Sequence, residues 1–417
     1  MRVYISFLLL FLFLLPNNNT QAQTVKILFD ASKAETAGNA DWIIDADKHN
    51  LVLNSAGVFE TGNTYDNSNA QRIPTPAQSG ITSTTTEGYW VGAISAWGVE
   101  CVKYGYEVES LPWNGVISYG NLSNQQDLSF YNIYVVCEPN INYTASEKDA
   151  IVNFVKNGGS LFMISGHNGS DRNFDGWDSP HIWNNLMDSN TIQKKPFGFA
   201  FDYVNISQTV NSFPVIANDS ILKGTAYGNV TQLKWSSGAT MTLNTSLNST
   251  VKAHAYKTGT SGTSNVLVAS SRFGAGKVAS FSDSSPFDDG TGDPNEVANL
   301  YDGWLGDASG NHKKIIMNTT IWLATGSTRG VYNGVNEISL ENNFTLYPNP
   351  VNSVLKIESN QEELQLVLRN INGQELFHST IQEHTIENLN MSQMSAGLYF
   401  LTVTTQKGSI TKKVIKD

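Results

Sequence analysis

Cysteine is nearly absent from this chain: 417 residues carry two, Cys101 and Cys137. So few thiols exclude a disulfide framework as the basis of the fold. Their apolar settings, AWGVECVKYGY and IYVVCEPN, point to two buried thiols, and whether they could bridge is a matter of distance that sequence does not show. Charge is scarce as well, at 15% of residues, with Asn, Ser, Thr and Gly in its place. Positive charge is scarcest, and the net charge of −11 leaves no basic stripe to neutralise phosphates, which excludes a nucleic-acid partner. Long apolar runs are missing too. The longest, from Phe7 to Leu15 in MRVYISFLLLFLFLLP, is too short to span a bilayer.

That run follows a single Arg and precedes a polar stretch with Ala22 before Gln23, the pattern of a secretory signal peptide over residues 1–22. The expectation is a mature protein outside the cytoplasm, with no transmembrane segment after cleavage. The whole chain is 40% apolar and 11% aromatic, enough for a large core, and its length suggests one large domain plus a smaller one.

From Thr24 the pattern alternates between strands and helices. TVKILFD reads as a β-branched strand ending in Asp30, and a polar stretch to Thr86 follows it. EGYWVGAISAWGVECVKYGY has helical spacing, YEVESLPW reads as a strand, and LSFYNIYVVCEPN has the continuous apolar run of a strand covered on both faces. Thr144 with Glu147 predicts a capped helix, Asn157-Gly158-Gly159 ends it, and Leu161 to Ile164 forms the next strand. Such a βαβ unit builds a parallel sheet with a right-handed crossover. Further on, SNVLVASSRFGAGKVASFSDSSPF predicts two strands around the turn at Gly274 to Gly276, and NHKKIIMNTTIWLATG a closing helix. An Asn- and Gly-rich linker over 328–343 then gives way to short alternating strands and the Asn372-Gly373 turn, a small all-β sandwich.

The tail, with FTLYPNPVNSVLKI, LRNINGQEL, MSAGLYFLTV and KKVIKD, resembles the C-terminal sorting domain of type IX secretion cargo from Bacteroidetes. The resemblance implies that residues 344–417 are an address read by the type IX machinery, so the protein is secreted or held at the outer-membrane surface. Residues 23–327, through YNIYVVCEPNINYTASEKDAIVNFVKNGGSLFMISGH, FGAGKVASFSDSSPF and NTTIWLATG, resemble the class I glutamine-amidotransferase-like superfold and its ThuA-like branch. The fold implied is α/β, a flavodoxin-like, mostly parallel sheet with helices on both faces. Glutamine-using members place a Cys at a strand-to-helix elbow. Here the elbow reads Ile164-Ser165-Gly166-His167 without one, and Cys137 does not match, which speaks against glutaminase chemistry.

In an open parallel sheet ligands bind beyond the carboxyl ends of the strands. Three polar clusters are expected there: Asp30 with Asp45 and Asp47, Ser165 to Asp178, and Asp283 to Asp293. DRNFDGWD begins like a calcium loop, with Asp171, Asn173, Asp175 and Asp178 as oxygen ligands and Gly176 for the turn. Its twelfth position is Ile182 where an EF-hand needs Glu, so the alternatives are a shorter calcium loop or a self-bonded polar turn, with zinc a lesser option through His167 and His181. Ser165 and His167 are candidates for nucleophile and base, although G-x-S-x-G is absent, and Asp30 for a catalytic or metal-binding acid. Asp288, Asp289 and Asp293 could hold a second cation. Trp42, Trp90, Trp97, Trp113, Trp177, Trp183 and Trp304 would stack on sugars if exposed, or fill the core. Two functions follow as expectations: an extracellular metal-assisted hydrolase acting on a glycan or small molecule, and a calcium-stabilised module binding glycans or surface partners. An inert scaffold is the third alternative.

Overall fold

The computed structural model describes residues 24–33, 36–37, 40–44, 78–112, 114–171, 175–211, 213–292, 301–329, 344–359, 363–382, 386–405 and 408–417. The expected signal peptide, most of the linker, and Asp45, Asp47, Trp113, Asn173 and Asp293 lie outside them.

The apolar runs at Lys26–Asp30 (β1), Glu107–Leu111 (β2), Ile133–Cys137 (β3) and Ser160–Ile164 (β4) form strands. With Gly276–Phe281, here β11, they make a parallel array in the order β2-β1-β3-β4-β11. Its register runs level across the sheet, Phe29 with Val135, Val135 with Phe162 and Phe162 with Ala279. Every position of β3 and β4 is buried, so both faces of these strands are covered. Alternate residues do this: Phe29, Val135, Phe162 and Phe281 pack with Ser95–Lys103 (α1) and His312–Ala324 (α4). Leu28, Val136, Met163 and Val278 pack on the other face with Ala145–Lys156 (α2) and Ser179–Ser189 (α3). The main domain is therefore α/β, with a mixed, mainly parallel sheet.

Local chemistry sets the helix ends. Thr144 and Glu147 form the expected capping box on α2. Asp178 caps α3, whose first turn holds Pro180. Both thiols, Cys101 and Cys137, are buried, and neither is in a disulfide.

The sheet does not stop at β11. A hairpin through Gly274, which has φ 58°, returns as Val266–Phe273 (β10), antiparallel to β11. β10 pairs on its other edge with Lys252–Tyr256 (β9) and Met241–Leu243 (β8), and β8 pairs with Phe199–Phe201 (β5). Ile206–Val210 (β6) and Leu233–Gly238 (β7) form a separate ribbon. The tail has two antiparallel sheets. One holds Phe344–Tyr347, Val354–Ser359 and Ile386–Asn390. The other holds Glu363–Asn370, Glu375–Gln382, Gly397–Thr405 and Gly408–Lys416. Leu355 and Ile357 of the first sheet and Leu366, Leu368 and Leu401 of the second share one buried cluster.

Candidate functional site

Asp30 ends β1 and is buried, with a carboxylate that accepts from the Ser32 amide (2.5 Å) and hydroxyl (2.9 Å), the Lys33 amide (3.1 Å) and the Tyr134 hydroxyl. Burial pushes its carboxyl up to about 6, against the opposing Lys33 charge and Ser32 hydrogen bonds. Lys33 in turn pairs with Glu147 at 2.7 Å. Ser165 directly follows β4, two strands away, which is roughly 10 Å across the sheet. Its buried hydroxyl donates to the Gly166 carbonyl at 3.2 Å, and among the described residues no hydrogen bond joins it to the His167 ring. The expected nucleophile and base therefore share a strand end without the contact that would activate the serine.

The 171 loop forms the bonds of a polar turn. Asp171 accepts from the amides of Asp175 (3.2 Å) and Gly176 (2.8 Å), and Asp175 from that of Trp177 (2.9 Å). Asp178 is buried and accepts from the amides of Gly169 (2.6 Å) and His181 (3.1 Å), with the His181 ring 2.6 Å away. Each of these carboxylates is committed to backbone amides. Among the described residues no group of three or more His, Cys, Asp or Glu side chains is arranged to hold a metal ion, and Asn173 of the expected oxygen set lies outside them.

A third cluster stands at the same strand ends. Glu138, directly after β3, has φ 49°, in the left-handed region that costs a side chain about 1 kcal/mol or more. Its buried carboxylate accepts from the Ser284 hydroxyl at 2.6 Å, and its Cδ lies 2.4 Å from where a Cβ on Gly166 would stand, so any side chain there would have to displace the Glu138 carboxyl. Asp283 accepts from the amides of Ser236 (2.5 Å) and Ser285 (2.9 Å), and Asp289 caps α1 through the Ala96 amide (2.7 Å). Burial raises Asp283 to about 7, Asp288 to about 8 and Asp289 to about 7, with neighbouring acid charges adding to the effect. The 288–289 pair thus behaves as buried, proton-holding carboxyls.

The tryptophans are mostly core. Trp42, Trp90, Trp97, Trp183 and Trp304 are buried and Trp177 is half-buried, so the exposed sugar platform expected of a glycan-binding face is not formed by them.

A different constellation lies on the α4 face of the antiparallel extension. His254 on β9 and Ser270 on β10 have their Nε2 and Oγ atoms 2.7 Å apart. The Nδ1 atom of His254 is 2.9 Å from Oδ2 of Asp219. Because a carboxylate only accepts, Nδ1 carries the proton and Nε2 is free to accept from the serine hydroxyl. Burial would raise the Asp219 carboxyl, but hydrogen bonds and charge from His254 and the Leu222 and Ile221 amides outweigh it and hold Asp219 below the usual carboxylate range. All three side chains are buried yet line a cleft of about 330 Å³, with Asn218, Lys252 and Trp322 among its other walls.

Sequence reading missed this set. Asp219 and His254 are 35 residues apart, His254 and Ser270 are 16 apart, and no short motif joins them. The one available signal was a histidine between two alanines in a short strand, KAHAY.

Comparison with known proteins places the tail and leaves the main domain open. Residues 345–417 match the secretion system C-terminal sorting domain. The chain is thus exported by type IX secretion, to be secreted or displayed at the cell surface. No described helix is long and apolar enough to cross a membrane. No curated protein matches the chain. Among solved structures, the mmIFT52 N-terminal domain is 16% identical, with 58% of this chain and 94% of that one covered and a TM-score of 0.37. A cytoplasmic protein from Salmonella typhimurium is 15% identical, covering 56% and 87%, with a TM-score of 0.31. A β-galactosidase from Bacillus circulans sp. alkalophilus is 11% identical, covering 68% and 34%, with a TM-score of 0.27. Likenesses at these scores carry no argument about function.

Proposed function

We propose that the main domain is an exported hydrolase that works by covalent catalysis from Ser270. One observation carries this: the unbroken chain Asp219–His254–Ser270, with contacts of 2.9 and 2.7 Å, inside a cleft. The Ser270 hydroxyl adds to an ester carbonyl while His254 Nε2 takes its proton, and Asp219 fixes the imidazole tautomer and balances the imidazolium charge. Collapse breaks the bond to the alcohol, which leaves with the proton from His254. Water activated by the same His254 then adds to the acyl-serine and releases the acid, so ester and water give acid and alcohol. Asn218 lines the cleft as a donor for the developing oxyanion.

This assignment keeps the hydrolase expectation and moves it from a metal-assisted route at Asp30 and His167 to a serine on the extension. The parallel order β2-β1-β3-β4-β11 supports reading the rest as a flavodoxin-like scaffold. A two-sheet tail around one apolar cluster supports reading residues 344–417 as a sandwich.

The test is hydrolysis of p-nitrophenyl butyrate by the full chain, with labelling by a fluorophosphonate. The expected result is a mass adduct on Ser270 and a loss of about a thousandfold or more in kcat for Ser270→Ala. An unlabelled Ser270 together with an unchanged Ser270→Ala rate refutes the assignment.

A further inference from the structure

The triad sits in a small array of alternating chemistry. In the β9–β10 ladder Lys252 is directly opposite Ser270, and residues opposite one another across antiparallel strands share a face, with Cβ atoms about 5 Å apart. On β10 the side chain two positions on, Arg272, returns to that face, and on β9, past an irregularity in the register, His254 reaches Ser270 at 2.7 Å. The nucleophile and its base are thus bordered by two cations at the mouth of the cleft, and both cations line it.

Neither cation is neutralised. Lys252 and Arg272 are exposed and make no ion pair among the described residues, whereas Lys26, Lys33, Lys234 and Lys313 each have a carboxylate within 3.2 Å. In a chain of net charge −11 an unpaired basic pair beside a nucleophile is a local reversal of sign, and it would draw anions toward the cleft. Arg272 also lines a neighbouring cavity of about 370 Å³, together with Trp322, Lys277 and Asn318. Lys277 does not serve there as a free cation, since its ammonium donates to the Trp322 carbonyl at 2.6 Å and to that of Thr325, closing the end of α4. The guanidinium is the group free to act, and its planar fork matches a carboxylate better than a lysine does.

We infer that the cleft takes an ester whose acyl chain ends in a carboxylate, held by Arg272 and Lys252 while Ser270 attacks the ester carbonyl. This rests on the serine-hydrolase assignment and adds to it the charge of the substrate.

The experiment compares p-nitrophenyl butyrate with mono-p-nitrophenyl glutarate on the full chain, in 50 mM and 500 mM salt. Wild type should favour the carboxylated ester by tenfold or more in kcat/KM, mainly through KM, and the preference should shrink at high salt, where screening is short-ranged. Arg272→Gln should lower the ratio of carboxylated to neutral kcat/KM by tenfold or more. Arg272→Glu should invert the preference toward butyrylthiocholine, a cationic ester. Tryptophan fluorescence confirms that each variant is folded. Equal kcat/KM for the two esters in wild type, or a ratio unmoved by Arg272→Gln, overturns the inference. If Ser270→Ala abolishes both activities in that same experiment, the hydrolase assignment survives its failure. If Ser270→Ala abolishes neither, both fall.

Discussion

The buried acids at the strand ends should make the main domain less stable as the pH rises. Asp288 holds its proton up to about pH 8 in the folded state, against an ordinary value of 3.8. At pH 7 the unfolded chain has released that proton and the folded chain has not. A raised folded value means that the stabilisation is complete below about pH 4 and is lost as the pH climbs through the folded value. For a group at about 8, the 3.2 units between 3.8 and pH 7 correspond to about 4 kcal/mol. Asp283 and Asp289, at about 7, and Asp30, at about 6, act in the same direction. Asp288→Asn removes one of these protons from the balance. Its amide oxygen can still accept from the Gly290 amide, now 3.0 Å from the carboxylate. All nine tryptophans precede the tail, so their fluorescence follows the main domain alone in the intact protein. The wild-type midpoint should fall between pH 5 and pH 8.5. Asp288→Asn should match wild type near pH 4.5 and exceed it near pH 8 by roughly 2 to 4 kcal/mol, or about 5 to 10 °C. A midpoint that is flat or rises over this range, or a variant that keeps the full wild-type slope, would refute the reasoning.

His254→Gln and Asp219→Asn should each lower kcat on p-nitrophenyl butyrate by at least about a hundredfold, because one removes the base and the other its orienting partner; steady-state kinetics with a folding control would show it. Calcium at millimolar concentration should leave the melting midpoint of the full chain within about 1 °C of that in EDTA, since ligand binding to the folded state alone would raise it and the carboxylates of Asp171, Asp175 and Asp178 are bonded to amides. Gly166→Ala should cost about 2 kcal/mol or more by urea titration, because its new Cβ would meet the Glu138 carboxyl at 2.4 Å.

Much of the framework was legible because its causes are local. The capping pair Thr144 and Glu147 and the Gly158 that ends α2 are separated by a few residues, and each acts through its own backbone neighbours. The apolar runs of β3 and of Leu161 to Ile164 in β4 required cover on both faces, and the helices on each side supply it. Other features needed the whole chain. Glu138 has no sequence mark of its left-handed backbone, since glutamate does not favour that region. Five tryptophans beside polar stretches turned out to be core, because burial depends on what packs over a residue. The carboxylates of the 171 loop had the right spacing for a cation, yet spacing does not decide whether amides reach them first.

By itself the sequence determined the alternation of strand and helix, the helix caps, and the export address in residues 345–417, because each is encoded in contiguous residues that a short window contains. Only the tertiary structure decided the site. The β9–β10 register sets His254 beside Ser270, and packing of the 219 loop brings Asp219 to the far side of the imidazole. Three residues spread over 52 positions become one proton-transfer chain when the sheet continues past its parallel half, and no local propensity specifies that continuation.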